Sequence, residues 1–225
     1  MSHENTNICW LDLETTGLDA NEDAILEIAA VITTPQLEEI AHYTAVVAPS
    51  VPTKRIGAIH PIVAAMHSKS GLWAESLGAA LTFDKACDEV RALMFKHHAV
   101  GSPLCGSSVH FDRKFLAAQH VRLHGDFAYR NIDVSTWTEL AKRLAPGVYE
   151  ARPGRDSEPA HRALDDIRNS IALQRYYLQT IGWLGKAIVD DLSDGVPVVA
   201  ECAAETEHSP RPSQGDREGV TVTPA

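Results

Sequence analysis

The sequence has few cysteines, and they are arranged neither as metal ligands nor as a disulfide framework. Cys9, Cys87, Cys105 and Cys202 include no CxxC pair and have no regular spacing. Zinc sites and disulfide scaffolds show such spacing, so we expect neither, and a reducing cytoplasm is the predicted compartment.

Long apolar runs and an excess of basic charge are also missing. No stretch approaches the ~18 consecutive apolar residues of a membrane-spanning helix, and the polar N-terminal residues do not form a secretory signal. We therefore expect no membrane partner. Lysine and arginine total 20 against 30 acidic residues, which gives a net charge of −10. This balance argues against a protein that grips nucleic acid through a broad basic surface.

The apolar content is sufficient for one folded domain. Of the 225 residues, 44% are hydrophobic, which excludes disorder throughout the chain. The composition changes near the C-terminal end, where residues 186–225 contain three basic residues, eight acidic residues and four prolines. We predict an ordered domain over residues 1–182 and an acidic, flexible tail over residues 183–225.

The order of the predicted elements indicates an α/β fold. Three strands with short connections, at 8–13, 24–34 and 40–48, predict an antiparallel meander that reverses near residues 35–36. Two later strands alternate with helices, which indicates a mixed sheet with helices packed against it. Those strands are predicted at 103–105 and 129–134, and the helices at 83–97 with Thr82 as the cap, 110–120, 136–144 and 162–180. The segments 49–72 and 145–160 are predicted to be mostly loop, with one turn of helix at 62–67.

Asp12 and Glu14 form the most informative pair of polar residues. In a strand, residues two apart project to the same side, so these two carboxylates point together while Leu11 and Leu13 face the other way. Two acids packed together are costly unless a cation neutralises them. An edge strand with acids facing solvent would have the same pattern.

Three further residues complete a candidate site. Asp112 lies at the start of a predicted helix, where an acid is also favoured by the helix dipole alone. His161 and Asp166 are five residues apart, and they can converge on one point if His161 precedes the helix. Asp165, four residues after His161, is the neighbour that a continuous helix would place beside it.

Taken together, Asp12-x-Glu14, Asp112 and His161-x4-Asp166 resemble the DEDD-type 3′→5′ exonucleases that use a catalytic histidine. The blocks WLDLETTGLD, AAMHSKSGL, CGSSVHFDRKFL, YRNIDVSTWTELAKR and HRALDDIRNSI are similar to those of the oligoribonuclease family, in the same order and spacing. The resemblance covers about residues 8–181. It implies a ribonuclease H-like fold with a mixed five-stranded sheet, an antiparallel meander plus parallel strands, flanked by helices.

The resemblance also implies a catalytic set. Asp12, Glu14, Asp112 and Asp166 would bind two Mg²⁺ ions per active site, with Mn²⁺ as a substitute, because these hard cations prefer oxygen ligands. His161 would take the proton from the attacking water. The spacing of the family selects Asp166 rather than Asp165 as the fourth ligand.

The substrate implied is short single-stranded RNA, and several residues resemble those that bind it. Leu18 would wedge between the terminal bases and His67 would lie near the 3′ nucleotide. A second set would cap the 5′ phosphate, with Tyr129 supplied by the other subunit of a homodimer: Ser108, Tyr129, Arg130, Ser135 and Thr138. Hydroxyl and guanidinium groups suit phosphate oxygens. A core position for Leu18 and helix-capping positions for the hydroxyl residues are the alternatives.

One departure from the family pattern concerns base stacking. Ile62 stands where many members have a tryptophan, and stacking contributes ~1–3 kcal/mol per base. The competing functions are a proofreading-type or ribonuclease T-like exonuclease acting on longer single-stranded RNA or DNA, and a catalytically silent binding module on the same fold.

Overall fold

Three successive strands form one half of the central sheet. In the computed structural model, which describes residues 7–49, 61–154 and 161–193, these are β1 (Ile8–Thr15), β2 (Ile25–Thr33) and β3 (Glu39–Val46). β2 pairs antiparallel with both β1 and β3. The predicted meander is therefore confirmed, and the turn between β2 and β3 lies at residues 35–36 as expected.

The other half of the sheet is parallel. The short strands β4 (Leu104–Gly106) and β5 (Asn131–Asp133) give the order β3-β2-β1-β4-β5. β1, β4 and β5 run in the same direction, so their carboxyl ends meet at one edge of the sheet. This mixed sheet confirms the predicted fold class.

Eight helices connect or cover these strands within the described residues. They are α1 (Pro61–Lys69), α2 (Leu72–Gly78), α3 (Phe83–Lys96), α4 (His110–Gln119), α5 (Val121–Asp126), α6 (Val134–Leu144), α7 (Pro146–Glu150) and α8 (Ala163–Ser193). In this part of the chain, no helix is long and apolar enough to cross a membrane.

The sheet is buried on both faces because its strands alternate between two cores. Leu11 and Leu13 of β1 pack with the buried side chains of α3 and α4. Trp10 belongs to the opposite core, together with residues of α6 and α8 such as Ile167 and Ile171. Asp12 and Glu14 share the side of Trp10, so they project toward the face that α8 covers.

Several local predictions are corrected by the structure. α2, α5 and α7 were not predicted, and α7 lies within the predicted loop 145–160. α6 begins at Val134, because the Asp133 carboxylate accepts the Ser135 backbone N–H and caps the helix ahead of Thr136. α8 continues to Ser193, well beyond residue 180. The division at residue 182 stays a prediction, since residues 194–225 lie outside the described part.

Candidate active site

Asp12, Glu14 and Asp166 come together between β1 and the start of α8. One carboxylate oxygen from each lies within 4.8 Å of the others. Glu14 is buried and Asp12 is half-buried, whereas an outward-facing edge strand would expose both. β1 is also a central strand, paired on both sides, so the edge-strand alternative is wrong.

The first turn of α8 distinguishes Asp166 from Asp165. The two carboxylates point to different sides of the helix, and only Asp166 belongs to the cluster. Asp165 is exposed to solvent. The Asp166 N–H donates to the carbonyl of Arg162 at 3.0 Å, so Asp166 lies on a formed helical turn.

Asp112 approaches β1 from the sheet edge where β4 ends. Its Oδ1 accepts the backbone N–H of Leu13 at 2.9 Å, and the residue is 4% exposed. Gly106 at the end of β4 allows that strand to lie close to β1, because a Cβ there would lie 3.0 Å from the carbonyl oxygen of Leu11. Asp112 is therefore fixed beside the strand that carries Asp12 and Glu14.

Burial and mutual repulsion raise the pKa values of the carboxylates in this site, which favours their protonated forms. Burial, followed by the charges of Asp166 and Glu27, raises the pKa of Asp12 to about 7. Burial and the charge of Asp12 raise the pKa of Glu14 to about 8. Burial also raises the pKa of Asp112, well above its usual range, and that of Asp166. Without a cation, the ionised cluster is electrostatically unfavourable.

This donor set fits a divalent cation. Closely spaced carboxylate oxygens are the ligands that Mg²⁺ and Mn²⁺ prefer, and a bound cation would offset both the burial and the mutual repulsion that raise these pKa values. Asp12, Glu14 and Asp166 supply the cluster, and Asp112 on α4 is hydrogen-bonded to Leu13, between Asp12 and Glu14.

His161 lies immediately before α8, which is the position expected if its side chain converges with that of Asp166. It adopts a left-handed backbone conformation with φ of 50°, which is strained for a residue other than glycine. The helix begins two residues later at Ala163, and the His161 side chain is half-buried. Burial raises the pKa of Asp166, and the charge of His161 acts to lower it.

Glu27 is a residue of the site that the sequence analysis missed. It lies opposite Glu14 in the β1–β2 register and is 3% exposed. Its carboxylate accepts the N–H of Ala163 and pairs with the Arg162 guanidinium. A glutamate within the otherwise apolar run ILEIAAVIT was the available signal, because a buried strand holds an acid only with a partner.

His67 is anchored at the other side of the cluster by α1. Its Nε2 lies 2.8 Å from the carbonyl oxygen of Thr15, and its Nδ1 lies 3.9 Å from Oε2 of Glu14. The ring is 1% exposed, and burial lowers its pKa. Among the described residues, Nδ1 has no hydrogen-bond partner. The structure therefore places His67 against Glu14, inside the protein.

Leu18 projects from a turn that its neighbours hold in place. The side chain is 74% exposed, so the core position considered for it is wrong. Lys114 donates to the Leu18 carbonyl at 2.9 Å, and the Asp23 carboxylate accepts the Asp19 N–H at 2.8 Å. An exposed leucine on an ordered turn is available for an apolar contact.

The predicted hydroxyl residues gather at the carboxyl ends of β4 and β5. Oδ1 of Asp133 accepts the Ser108 N–H, the Ser135 N–H and the Ser135 hydroxyl. Thr138 lies one turn further along α6, where its hydroxyl oxygen accepts a hydrogen bond from the Tyr177 hydroxyl at 3.1 Å. The structure thus brings Ser108 and Ser135 together, with Asp133 between them. They lie at the same edge of the sheet as Glu14, near the carboxyl end of β1.

Tyr129 and Arg130 lie on the turn before β5. The Arg130 guanidinium stacks 4.7 Å from the centre of the Tyr129 ring, and Tyr129 is 78% exposed. Arg113, next to Asp112 on α4, donates to the carbonyl oxygens of Ala128 and Arg130 and so holds both ends of this turn. Ile62, at the position of the family tryptophan, is 71% exposed on α1.

Comparison with known proteins gives a consistent family. A sequence model of the exonuclease family matches residues 9–174. The oligoribonuclease of Xanthomonas euvesicatoria is 40% identical over 182 residues, which cover 80% of this chain and 92% of that protein. The oligoribonuclease of Vibrio vulnificus is 38% identical over 182 residues, covering 80% of this chain and 98% of that protein.

Solved structures show the same fold. The zinc-bound complex of Escherichia coli exonuclease I with single-stranded DNA superposes with a TM-score of 0.59 at 15% identity. The match covers 83% of this chain, which spans 43% of that larger protein. The metal-free form of the same complex gives a TM-score of 0.56 over 76% of this chain and 39% of that one. The chain therefore belongs to the exonuclease family and, within it, to the oligoribonucleases.

Proposed function

We propose that this protein is a 3′→5′ exoribonuclease that hydrolyses very short RNA, from two to about five nucleotides, to mononucleotides. The observation that carries the proposal is the cluster of Asp12, Glu14 and Asp166, with ligand oxygens within 4.8 Å of one another. Membership of the oligoribonucleases supports the choice of short RNA as the substrate.

The catalytic roles follow from the chemistry of the residues. We assign Asp12, Glu14, Asp112 and Asp166 as ligands of two Mg²⁺ ions, with Mn²⁺ able to replace them. When bound, such ions neutralise charge on the phosphate and favour ionisation of the attacking water. His161 is the general base that takes the proton of that water, since imidazole exchanges protons near neutral pH.

Two groups of residues at the sheet edge would limit the length of the substrate. The exposed Leu18 separates the two terminal bases, and His67 supports the end of the site that holds the 3′ nucleotide. Ser108, Arg130, Ser135 and Thr138 bind the 5′ phosphate through hydroxyl and guanidinium donors. A closed 5′ end admits two to about five nucleotides and obstructs longer strands.

We also propose that the enzyme is a cytoplasmic homodimer. Tyr129 is a large aromatic side chain that is 78% exposed in the single chain. We assign this ring a role in the other subunit, where it would complete the site that binds the 5′ phosphate. Cys9, Cys87 and Cys105 are buried free thiols, which suits a reducing compartment.

A comparison of two substrates tests the proposal. Initial rates are measured on a 5′-phosphorylated RNA dinucleotide and on a ten-nucleotide RNA, each with Mg²⁺ and with EDTA. We expect cleavage only with the metal, and at least about tenfold faster turnover of the dinucleotide. Equal or faster cleavage of the longer strand would support the proofreading-type alternative, and no cleavage of either would support the silent binding module.

A further inference from the structure

We propose that Glu27 is a positioning residue, which holds His161 and Asp166 in place by clamping the start of α8 to β2. The inference rests on the proposed function for the roles of His161 and Asp166. It assigns to Glu27 no contact with substrate or metal. The clamp consists of Glu27, Arg162 and the backbone N–H of Ala163.

The geometry of Glu27 leaves it little freedom. Oε2 accepts the Ala163 N–H at 3.1 Å, and Oε1 accepts Nη2 of Arg162 at 3.1 Å. Nε of Arg162 lies 3.2 Å from both carboxylate oxygens. A glutamate on a strand thus caps a helix that begins 136 residues later in the chain.

The clamped segment lies between the two catalytic residues. His161 immediately precedes Arg162, and its φ of 50° requires support from its surroundings. Asp166 is fixed by the bond from its N–H to the Arg162 carbonyl at 3.0 Å. Holding Arg162 by both its side chain and its main chain therefore sets the orientation of residues on either side.

Contacts other than this ion pair also attach α8 to the sheet. Ile167 and Ile171 pack into the core, and a second strand-to-α8 pair joins Glu39 to Arg168. A buried ion pair in general adds little net stability compared with apolar side chains of similar size. We infer that the Glu27–Arg162 pair is used for orientation at the active site.

The test compares Glu27→Gln and Arg162→Gln with Glu39→Gln as the matched control. Glu39 makes the same bidentate contact to an arginine of α8, but its partner Arg168 lies beyond the catalytic turn. Amide hydrogen exchange of Ala163 and Asp166 is measured by NMR in the metal-free full-length chain, and kcat and KM are measured on the dinucleotide with Mg²⁺.

We expect both clamp variants to accelerate exchange of these two amides at least about tenfold and to lower kcat by a similar factor, with KM within about threefold. Glu39→Gln leaves these quantities unchanged. The clamp variants change the charge near the metal ligands in opposite directions. An electrostatic effect would therefore move kcat in opposite directions, whereas loss of orientation lowers kcat in both.

Unchanged amide exchange in either clamp variant, or opposite changes in kcat, would overturn the proposal. Arg162 is partly exposed and also pairs with Glu75. Arg162→Gln therefore provides the test if Glu27→Gln fails to fold, with Glu75→Gln, which keeps the Glu27 contacts, as its control. A wild-type chain that does not cleave the dinucleotide would refute the proposed function, while the exchange of Ala163 and Asp166 would still decide the clamp.

Discussion

The side chain of Asp112 is hydrogen-bonded to the main-chain N–H of Leu13, with Oδ1 of Asp112 2.9 Å from the nitrogen. Leu13 stands between Asp12 and Glu14, so the bond joins the first turn of α4 to the strand that carries the other carboxylates. β4 ends at Gly106 and no longer pairs with β1 at this point, which makes the Leu13 N–H available to Asp112.

The double role of Asp112 predicts that two substitutions at this position will differ. An amide in Asp112→Asn still accepts the Leu13 N–H, whereas Asp112→Ala leaves that buried donor unpaired at a cost of about 1–3 kcal/mol. We expect both variants to lose at least about a hundredfold in kcat, and only Asp112→Ala to unfold at lower temperature. Dinucleotide hydrolysis and thermal denaturation measure the two effects. Equal melting temperatures for the variants would remove the structural role.

The neighbours Asp165 and Asp166 allow a matched comparison on one helical turn. Asp166→Asn removes a cluster carboxylate, so we expect a loss of about a thousandfold or more in kcat with the fold retained. Asp165→Asn changes charge equally but affects an exposed side chain, and we expect turnover within about threefold of wild type. The assay is dinucleotide hydrolysis at matched Mg²⁺ concentration. Near-normal turnover of Asp166→Asn would exclude this residue from the catalytic set.

The raised pKa values predict how the metal-free protein responds to pH. Asp12 and Glu14 have ordinary values of 3.8 and 4.5 but titrate near 7 and 8 in the folded protein. The folded state thus binds more protons between these values, so the free energy of unfolding falls as pH rises from about 4 to 8. Burial lowers the pKa of His67 and His120, which acts in the opposite direction.

A difference measurement isolates the carboxylates from the histidines. We expect chemical denaturation of Asp12→Asn, with EDTA present, to show a weaker decline with pH than the wild type. Adding Mg²⁺ at pH 8 should raise the melting temperature of the wild type and have little effect on Asp12→Asn, because only the folded wild type gains a ligand. Parallel pH profiles for the two proteins would contradict the assigned electrostatics.

The contacts of Arg113 predict an effect on substrate binding rather than on chemistry. Arg113→Gln frees the turn that carries Tyr129 and Arg130, and we expect KM for the 5′-phosphorylated dinucleotide to rise about five- to twentyfold with kcat within about threefold. Arg122→Gln is the control, because Arg122 is an exposed arginine whose partner is Asp88. A fall in kcat at unchanged KM would instead show that Arg113 acts through its neighbour Asp112.

Local sequence patterns predicted most of the elements but not all of their ends. The periodicity at 83–97 gave α3 together with its Thr82 cap, because both depend on residues within a few positions of one another. The helix predicted at 136–144 starts earlier in the structure, since α6 begins at Val134. Asp133 ends the preceding strand and accepts the Ser135 N–H, so the helix begins earlier. α2 and α5, at seven and six residues, are too short for periodicity to indicate them.

The sequence by itself determined that two acids share one face of a strand and, through its resemblance to a known family, the family and the selection of Asp166 over Asp165. Only the tertiary structure decided which residues, distant in the sequence, make hydrogen bonds that position the candidate site residues. Glu27 clamps Arg162 and Ala163, and Asp133 gathers Ser108 and Ser135. The physical reason is that a short motif records side-chain types and spacing. A hydrogen bond between residues far apart in the chain depends instead on how the sheet and its helices pack.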